Sequence, residues 1–338
     1  MARRERTTAL PRARQRAAAH QTRRTLGERR LQLGVIGVAV VLLLAVLGAF
    51  AYRVYDTRVG IPQSTVLQVA DEKFSLRYYA DRLGPFIQAN LSSGQSLAII
   101  EERLLTKLEE EALTLILARE AGVDLSDQAV LQFIADQLGV PVGGSGTSFD
   151  TLYRNQLRTL GIDDGTYKRM KQAELADARL MDLIKEEIGT SGDQYTVRVV
   201  LVGDQETAAG IRGRIEAGED MGTIAQVESL DLESRQNDGI LPPEPLPLFP
   251  ESAREAMEGA AVGTLLGPVQ VGDNWWVFRI EAIEERDYSD AQAQQLADKE
   301  LADRITAKRA ELAGRIRRSL DADDIEWAEE RVSLPEGS

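Results

Sequence analysis

The sequence predicts an α+β protein: one transmembrane helix, an all-α domain completed by a C-terminal helix, and an inserted α+β domain with a mostly antiparallel sheet. Three observations predict it. The run Leu33–Tyr52 holds no charged residue. Apolar side chains recur at helical spacing through residues 65–190. At Tyr195 the texture changes to short apolar strands separated by helices, beginning with "TVRVVLV" (Thr196–Val202).

Twenty residues at about 1.5 Å rise span about 30 Å, the thickness of a bilayer's hydrocarbon core. Residues 1–32 before this run form a basic tail. Ten arginines against Glu5 and Glu28 give residues 1–30 a charge of about +8, so the rest of the chain carries about −22 within a net charge of −14. The positive-inside rule places that tail in the cytoplasm and everything after Arg53 outside, in a single-pass arrangement in the cell membrane. A cleaved signal peptide is the rival reading, because Ala49-Phe50-Ala51 has the small-residue pattern of a cleavage site. The long basic region and the full twenty-residue run favour an uncleaved anchor. The tail lacks interleaved aromatics, and attraction to anionic lipid accounts for it. The acidic remainder argues against a nucleic-acid partner.

The chain has no cysteine, which excludes disulfides and thiolate chemistry. Its one histidine, His20, lies in the basic tail. Histidine triads and histidine-based metal sites are therefore excluded from the domains beyond the membrane. No metal and no cofactor is expected.

Residues 53–64 form a linker. "TVLQVADEKF" (Thr65–Phe74) reads as a strand, a turn at Asp71-Glu72 and a return, and Ser75 caps a helix to about Asn90. The strongest helix runs from Ser96 to about Ala121, with Leu97, Ile100, Leu104, Leu108 and Leu115 on one stripe and Gly122 ending it. Ser126 caps a third helix to about Leu138. The glycine-rich "GVPVGGSGTS" is a loop, and helices follow over Ser148–Leu160 and Asp163–Ile188. Within 195–285 the order is a strand (Tyr195–Val202), helices over Glu206–Ala217 and Met221–Glu228, and the proline run "LPPEPLPLFP". A helix (Ser252–Glu258) and strands at Leu266–Val271 and Trp275–Ala282 complete it. The proline run is either a polyproline ligand or a stiff loop. Residues 289–334 supply a long helix (Ser289–Leu320) and a final strand in "IEWAEERVSL", expected beside Thr65–Val69.

The second unit resembles the parvulin-type peptidyl-prolyl cis-trans isomerases. "VRVVLV", "AAGIRGRIEAGEDMGTIAQVES" and "AMEGAAVGTLLGPVQVGDNWWVFRI" carry the likeness. The helical segments, with "VADEKFSLRYYADRL", "ERLLTKLEEEALTLILAREAGVDLSDQAV" and "YRNQLRTLGIDDGTYKRMKQAELADARLM", resemble the chaperone domain of SurA- and PrsA-like foldases. The resemblance implies that the segments flanking the isomerase-like unit pack together. It also implies partners: unfolded or extended exported polypeptides, including proline-containing ones.

For the site it implies an apolar groove, a pair of histidines and a Cys or Asp facing the prolyl bond. The two histidine positions fall on Val199 and Trp276, and the residue facing the bond falls on Asp231. The two groove positions fall on Phe249 and Ala253, the second usually a phenylalanine; Phe249 is the ring at hand to replace it. Each has a plainer alternative: Asp231 a loop or cap residue, Trp276 and its neighbour Trp275 core residues. Replacing both imidazoles by apolar groups retires a polar network whole, where half of one left buried costs more. The resulting expectation is a membrane-anchored extracytoplasmic chaperone with a degenerate isomerase site. An active isomerase and a non-catalytic envelope-assembly partner are the alternatives.

Overall fold

The computed structural model describes residues 40–53, 55, 59–90 and 96–332. The basic tail, residues 33–39 of the apolar run and the chain beyond residue 332 lie outside the described residues. Residues 40–53 form a helix, α1, with Val41, Leu44, Val46 and Phe50 exposed. Among the described residues no helix is long and apolar enough to cross a membrane.

Ala70, at φ 52°, turns β1 (Thr65–Val69) into β2 (Glu72–Ser75). Ser75 Oγ then accepts the Tyr78 amide at 3.2 Å and starts α2 (Leu76–Asn90). The long α3 (Leu97–Glu120) stops where Gly122 takes φ 77°. Ser126, Thr147 and Asp163 each accept an amide of the helix that follows: α4 (Asp127–Leu138), α5 (Ser148–Leu160) and α6 (Asp164–Ile188). The capping residues are legible in the sequence because short polar side chains precede each apolar stripe.

Next come β3 (Ser191–Val202), α7 (Gln205–Glu216), α8 (Met221–Glu228) and the short α9 (Leu232–Arg235). They are followed by β4 (Glu244–Pro245), α10 (Glu251–Met257), β5 (Leu265–Val271) and β6 (Asn274–Asp287). The four strands form one antiparallel sheet in the order β4-β3-β6-β5. β3 begins before Tyr195 and β6 continues past Ala282, because Ser191–Gln194 pairs with Glu284–Asp287. Those eight residues carry no apolar alternation, so nothing in the pattern marks them as strand. They are held by pairing and by Gln194, whose Nε2 donates to the Asp287 carbonyl at 3.1 Å.

The C-terminal segment departs from expectation in two places. The helix over Ser289–Leu320 is α11 (Asp290–Glu311), begun by a capping box between Ser289 and Gln292. Past Gly314 the chain forms β7 (Ile316–Arg318), which pairs with β1 to give the sheet order β2-β1-β7. The strand expected over Ile325–Leu334 is in its described part a helix, α12 (Ala322–Glu329). Asp321 and Asp324 form a capping box at its start, and Ala328 and Val332, four residues apart, pack on the same core. The partner of Thr65–Val69 is thus β7, not the final segment.

Two cores hold the helical elements. One joins β1, β2, α2 and α3 to Leu312, Leu320, Trp327 and Ala328 from the end of the chain. The other joins α4, α5 and α6 to Leu115 and Ala118 of α3 and to Ala297 and Leu301 of α11. A buried carboxylate ties the return together: Glu109 of α3 accepts from Arg309 Nε at 2.8 Å and from Arg318 Nε at 3.0 Å.

Candidate functional site

The alternation of β3 and β6 divides the four-stranded sheet into two faces. Val199 is registered with Phe278, Val200 with Val277 and Leu201 with Trp276. On one face Val200, Val202 and Val277 pack against Ala208, Ile211 and Ile215 of α7 and Met221, Ile224 and Ala225 of α8. On the other, Val197, Val199, Phe278 and Ile280 pack against Phe249 and against Ala253 and Met257 of α10. The half-buried Trp276 borders this second face, its ring edge-on to Phe278 with centroids 6.1 Å apart.

The second face therefore brings together four of the five residues singled out from the sequence. Val199 and Ala253 are fully buried, Phe249 is 8% exposed, and Trp276 is partly open. The ring of Phe249 enters from the turn before α10 and packs in the cluster that contains Ala253. Trp275, on the opposite face, packs against the core beneath α7 and α8.

Asp231 stands apart from that cluster. It is the N-cap of α9, its Oδ1 accepting the Glu233 amide at 3.3 Å. One residue earlier, the Leu230 amide donates to the Leu201 carbonyl at 2.7 Å, which sets Asp231 at the free edge of β3 and not under the face. Leu230 and Leu232 on either side of it are 56% and 68% exposed.

Three contributors were missed in the sequence. Ser229 is buried, and its Oγ accepts the Leu201 amide at 3.1 Å, which finishes the β3 edge. Gly239 lies in "NDGIL" with φ 80°, and its carbonyl accepts the Val199 amide at 2.8 Å. A Cβ there would stand 2.6 Å from the Val199 oxygen and 2.7 Å from the Ala225 Cβ. Phe278 is the third, and the alternation in "WWVFRI" could have found it; hydrogen bonds across a loop leave no such pattern.

Arg198 points to the first face, where its Nε donates to Glu281 at 2.9 Å and another nitrogen donates to the Asp238 carbonyl at 2.6 Å. Among the described residues of this sheet unit, the buried polar side chains are Gln194, Ser229 and Ser234, with no buried charge. Among the described residues no cluster of three His, Cys, Asp or Glu side chains is placed to hold a metal. Phe249 and α10 cover most of the second face, and Trp276 stands at its partly open border. Neither position 199 nor position 276 carries an imidazole.

No protein-family model matches the chain, and no curated protein matches it in sequence. It is similar to solved structures of PrsA foldases, SurA-like chaperones and parvulin-type isomerases. The peptidyl-prolyl isomerase PrsA of Bacillus anthracis is 17% identical, with 61% of this chain and 96% of that one covered at a TM-score of 0.40. The PrsA of Bacillus cereus is 14% identical over 81% of this chain and all of its own, again at 0.40. A structure from work on two SurA-like chaperones of Campylobacter jejuni is 16% identical over 76% of this chain and 100% of that one, at 0.27.

Proposed function

We propose that the protein is a membrane-anchored, extracytoplasmic foldase or chaperone that binds unfolded exported polypeptides and has a degenerate prolyl-isomerase site. The observation that carries this reading is the apolar face on which Val199, Phe249, Ala253 and Trp276 meet. Isomerisation about an X–Pro bond needs no nucleophile or metal; it needs the twisted amide bound more tightly than the planar one. An apolar face binds both forms through the same ring and side-chain burial. With no polar group from positions 199 and 276, discrimination in favour of the twisted amide is small. Retention without turnover is what a holding chaperone requires.

In this reading residues 65–190 and 289–334 make the helical chaperone domain, residues 195–285 make the binding module, and Leu33–Tyr52 anchors both. The exposed apolar side chains of α1 support the anchor. A second reading, an active isomerase, is favoured by Asp231 between two exposed leucines at the edge of the sheet.

Proline-limited refolding of a reporter and suppression of client aggregation, measured side by side on the full chain in detergent, separate the two. Suppression without acceleration is expected. Acceleration that vanishes in both Asp231→Ala and Phe249→Ala would establish the isomerase instead.

A further inference from the structure

A cleft opens among the helical elements. α4 and α6 run side by side, and between them opens a cleft of about 510 Å³, closed at one end by the turn after α3. That is the size of a pocket for one or two large side chains. Its walls follow from helical spacing. Ala129 and Phe133 come from successive turns of α4, and Leu175 and Leu183, two turns apart, from α6. Ala129, Phe133 and Leu183 are only partly buried by the protein's own packing, so the cleft keeps apolar surface within reach of solvent.

The rim is acidic. Asp124, Asp136 and Asp182 stand around the opening against a single cation, Arg179. Arg179 is already committed, its guanidinium 3.5 Å from Asp182. Asp124 accepts the Ser126 amide at 2.9 Å, and that bond holds its carboxyl below the usual range, so it stays ionised. Asp136 accepts from Gln132 at 2.8 Å and keeps a second oxygen free for an incoming donor. α4 itself carries no lysine or arginine.

We infer that this cleft binds client segments in which a bulky apolar side chain is flanked by lysine or arginine. The apolar floor takes the side chain, and the three carboxylates select the basic neighbours and repel acidic ones. The inference rests on the client-binding reading above and adds to it a second site with its own sequence preference. The two sites divide the work: the sheet face is uncharged, and the cleft sorts by charge.

The test uses the full chain in detergent and two fluorescent decapeptides. One carries Leu-Phe flanked by lysines; the other carries the same core flanked by glutamates. Fluorescence anisotropy is expected to show the lysine peptide binding at least ten-fold tighter at low salt, with the margin shrinking at 0.5 M salt, where screening falls to a few ångströms. Asp124→Asn with Asp136→Asn keeps both acceptor positions and is expected to erase the margin. Ala129→Trp, which fills the cleft, is expected to weaken the lysine peptide ten-fold while leaving circular dichroism unchanged. A margin that survives the double asparagine variant, or full affinity in Ala129→Trp, would overturn the inference. Aggregation assays on the same samples keep the two readings distinct. Wild-type suppression that persists in Ala129→Trp, together with unchanged peptide affinity, sinks the cleft and leaves the sheet-face reading standing. Selective peptide binding without any suppression supports the cleft and sinks the chaperone reading.

Discussion

Arg318 of β7 grips the buried carboxylate of Glu109 on α3 through two nitrogens, at 3.0 and 2.9 Å, across more than two hundred residues of sequence. Arg309 of α11 completes the cluster from the other side. Glu109→Ala removes the buried anion that the two guanidinium groups share, leaving as anions only Glu102 for Arg318 and Glu110 for Arg309, both exposed. Each guanidinium is about a third exposed and can rehydrate, so the cost falls below that of a fully buried pair. A loss of about 2 kcal/mol is expected in urea unfolding. Arg315→Ala, which removes a well-exposed pair with Asp71, should change stability by less than about 0.5 kcal/mol.

A second prediction concerns pH. Glu101 on α3 is buried with one carboxyl oxygen unpartnered, and burial, reinforced by Glu329 of α12, pushes its carboxyl up to about 7. The folded protein therefore keeps a proton that the unfolded chain gives up above about 4.5. The stability linked to this group is full below that value and is lost as pH rises through 7. The melting temperature should fall between pH 5 and pH 8, and Glu101→Gln should flatten the fall. An unchanged slope in that variant would assign the effect elsewhere.

Gly239 and Gly259 offer a matched pair. Their φ angles are 80° and 72°, but a Cβ at Gly239 collides with the Val199 oxygen, whereas at Gly259 nothing lies within 4 Å. Gly259→Ala should cost about 1–2 kcal/mol, the backbone strain alone. Gly239→Ala adds a clash at the strand edge and should cost about 3 kcal/mol or more. Urea midpoints measured on both variants check the difference.

Val199→His places an imidazole at a position 1% exposed. The side chains clustered around Val199 are apolar, so the ring is held neutral and its burial should cost about 1–3 kcal/mol. Proline-limited refolding should be no faster than with the natural protein. A gain in rate would mean that a single imidazole suffices there, and would count against the degenerate-site reading.

Helix starts were the most legible part of the fold, because Ser75, Ser126, Asp163 and Ser289 act within three residues of themselves. The two-faced sheet was legible too, since Val197, Val199, Phe278 and Ile280 alternate with residues of the other face. What escaped was non-local. The polar ends of β3 and β6 are strands only because they have each other. The last helix was read as a strand, while the spacing that counts is that of Ala328 and Val332 on the core. At the site, four of five residues share one cluster, whereas Asp231 sits beside it as a cap. The loop hydrogen bonds of Ser229 and Gly239 depend on a turn whose geometry no periodicity encodes.

The pairing of β7 with β1 sets an order of events during synthesis. The sheet unit is built from one unbroken stretch of chain, and all its strand pairing is available once Asp287 has been made. The elements that precede it must wait, because β1 lacks its second neighbour and Glu109 its partner Arg318 until β7 has been made. The part of the molecule nearest α1 is therefore the last to close, around a neighbour that has already folded.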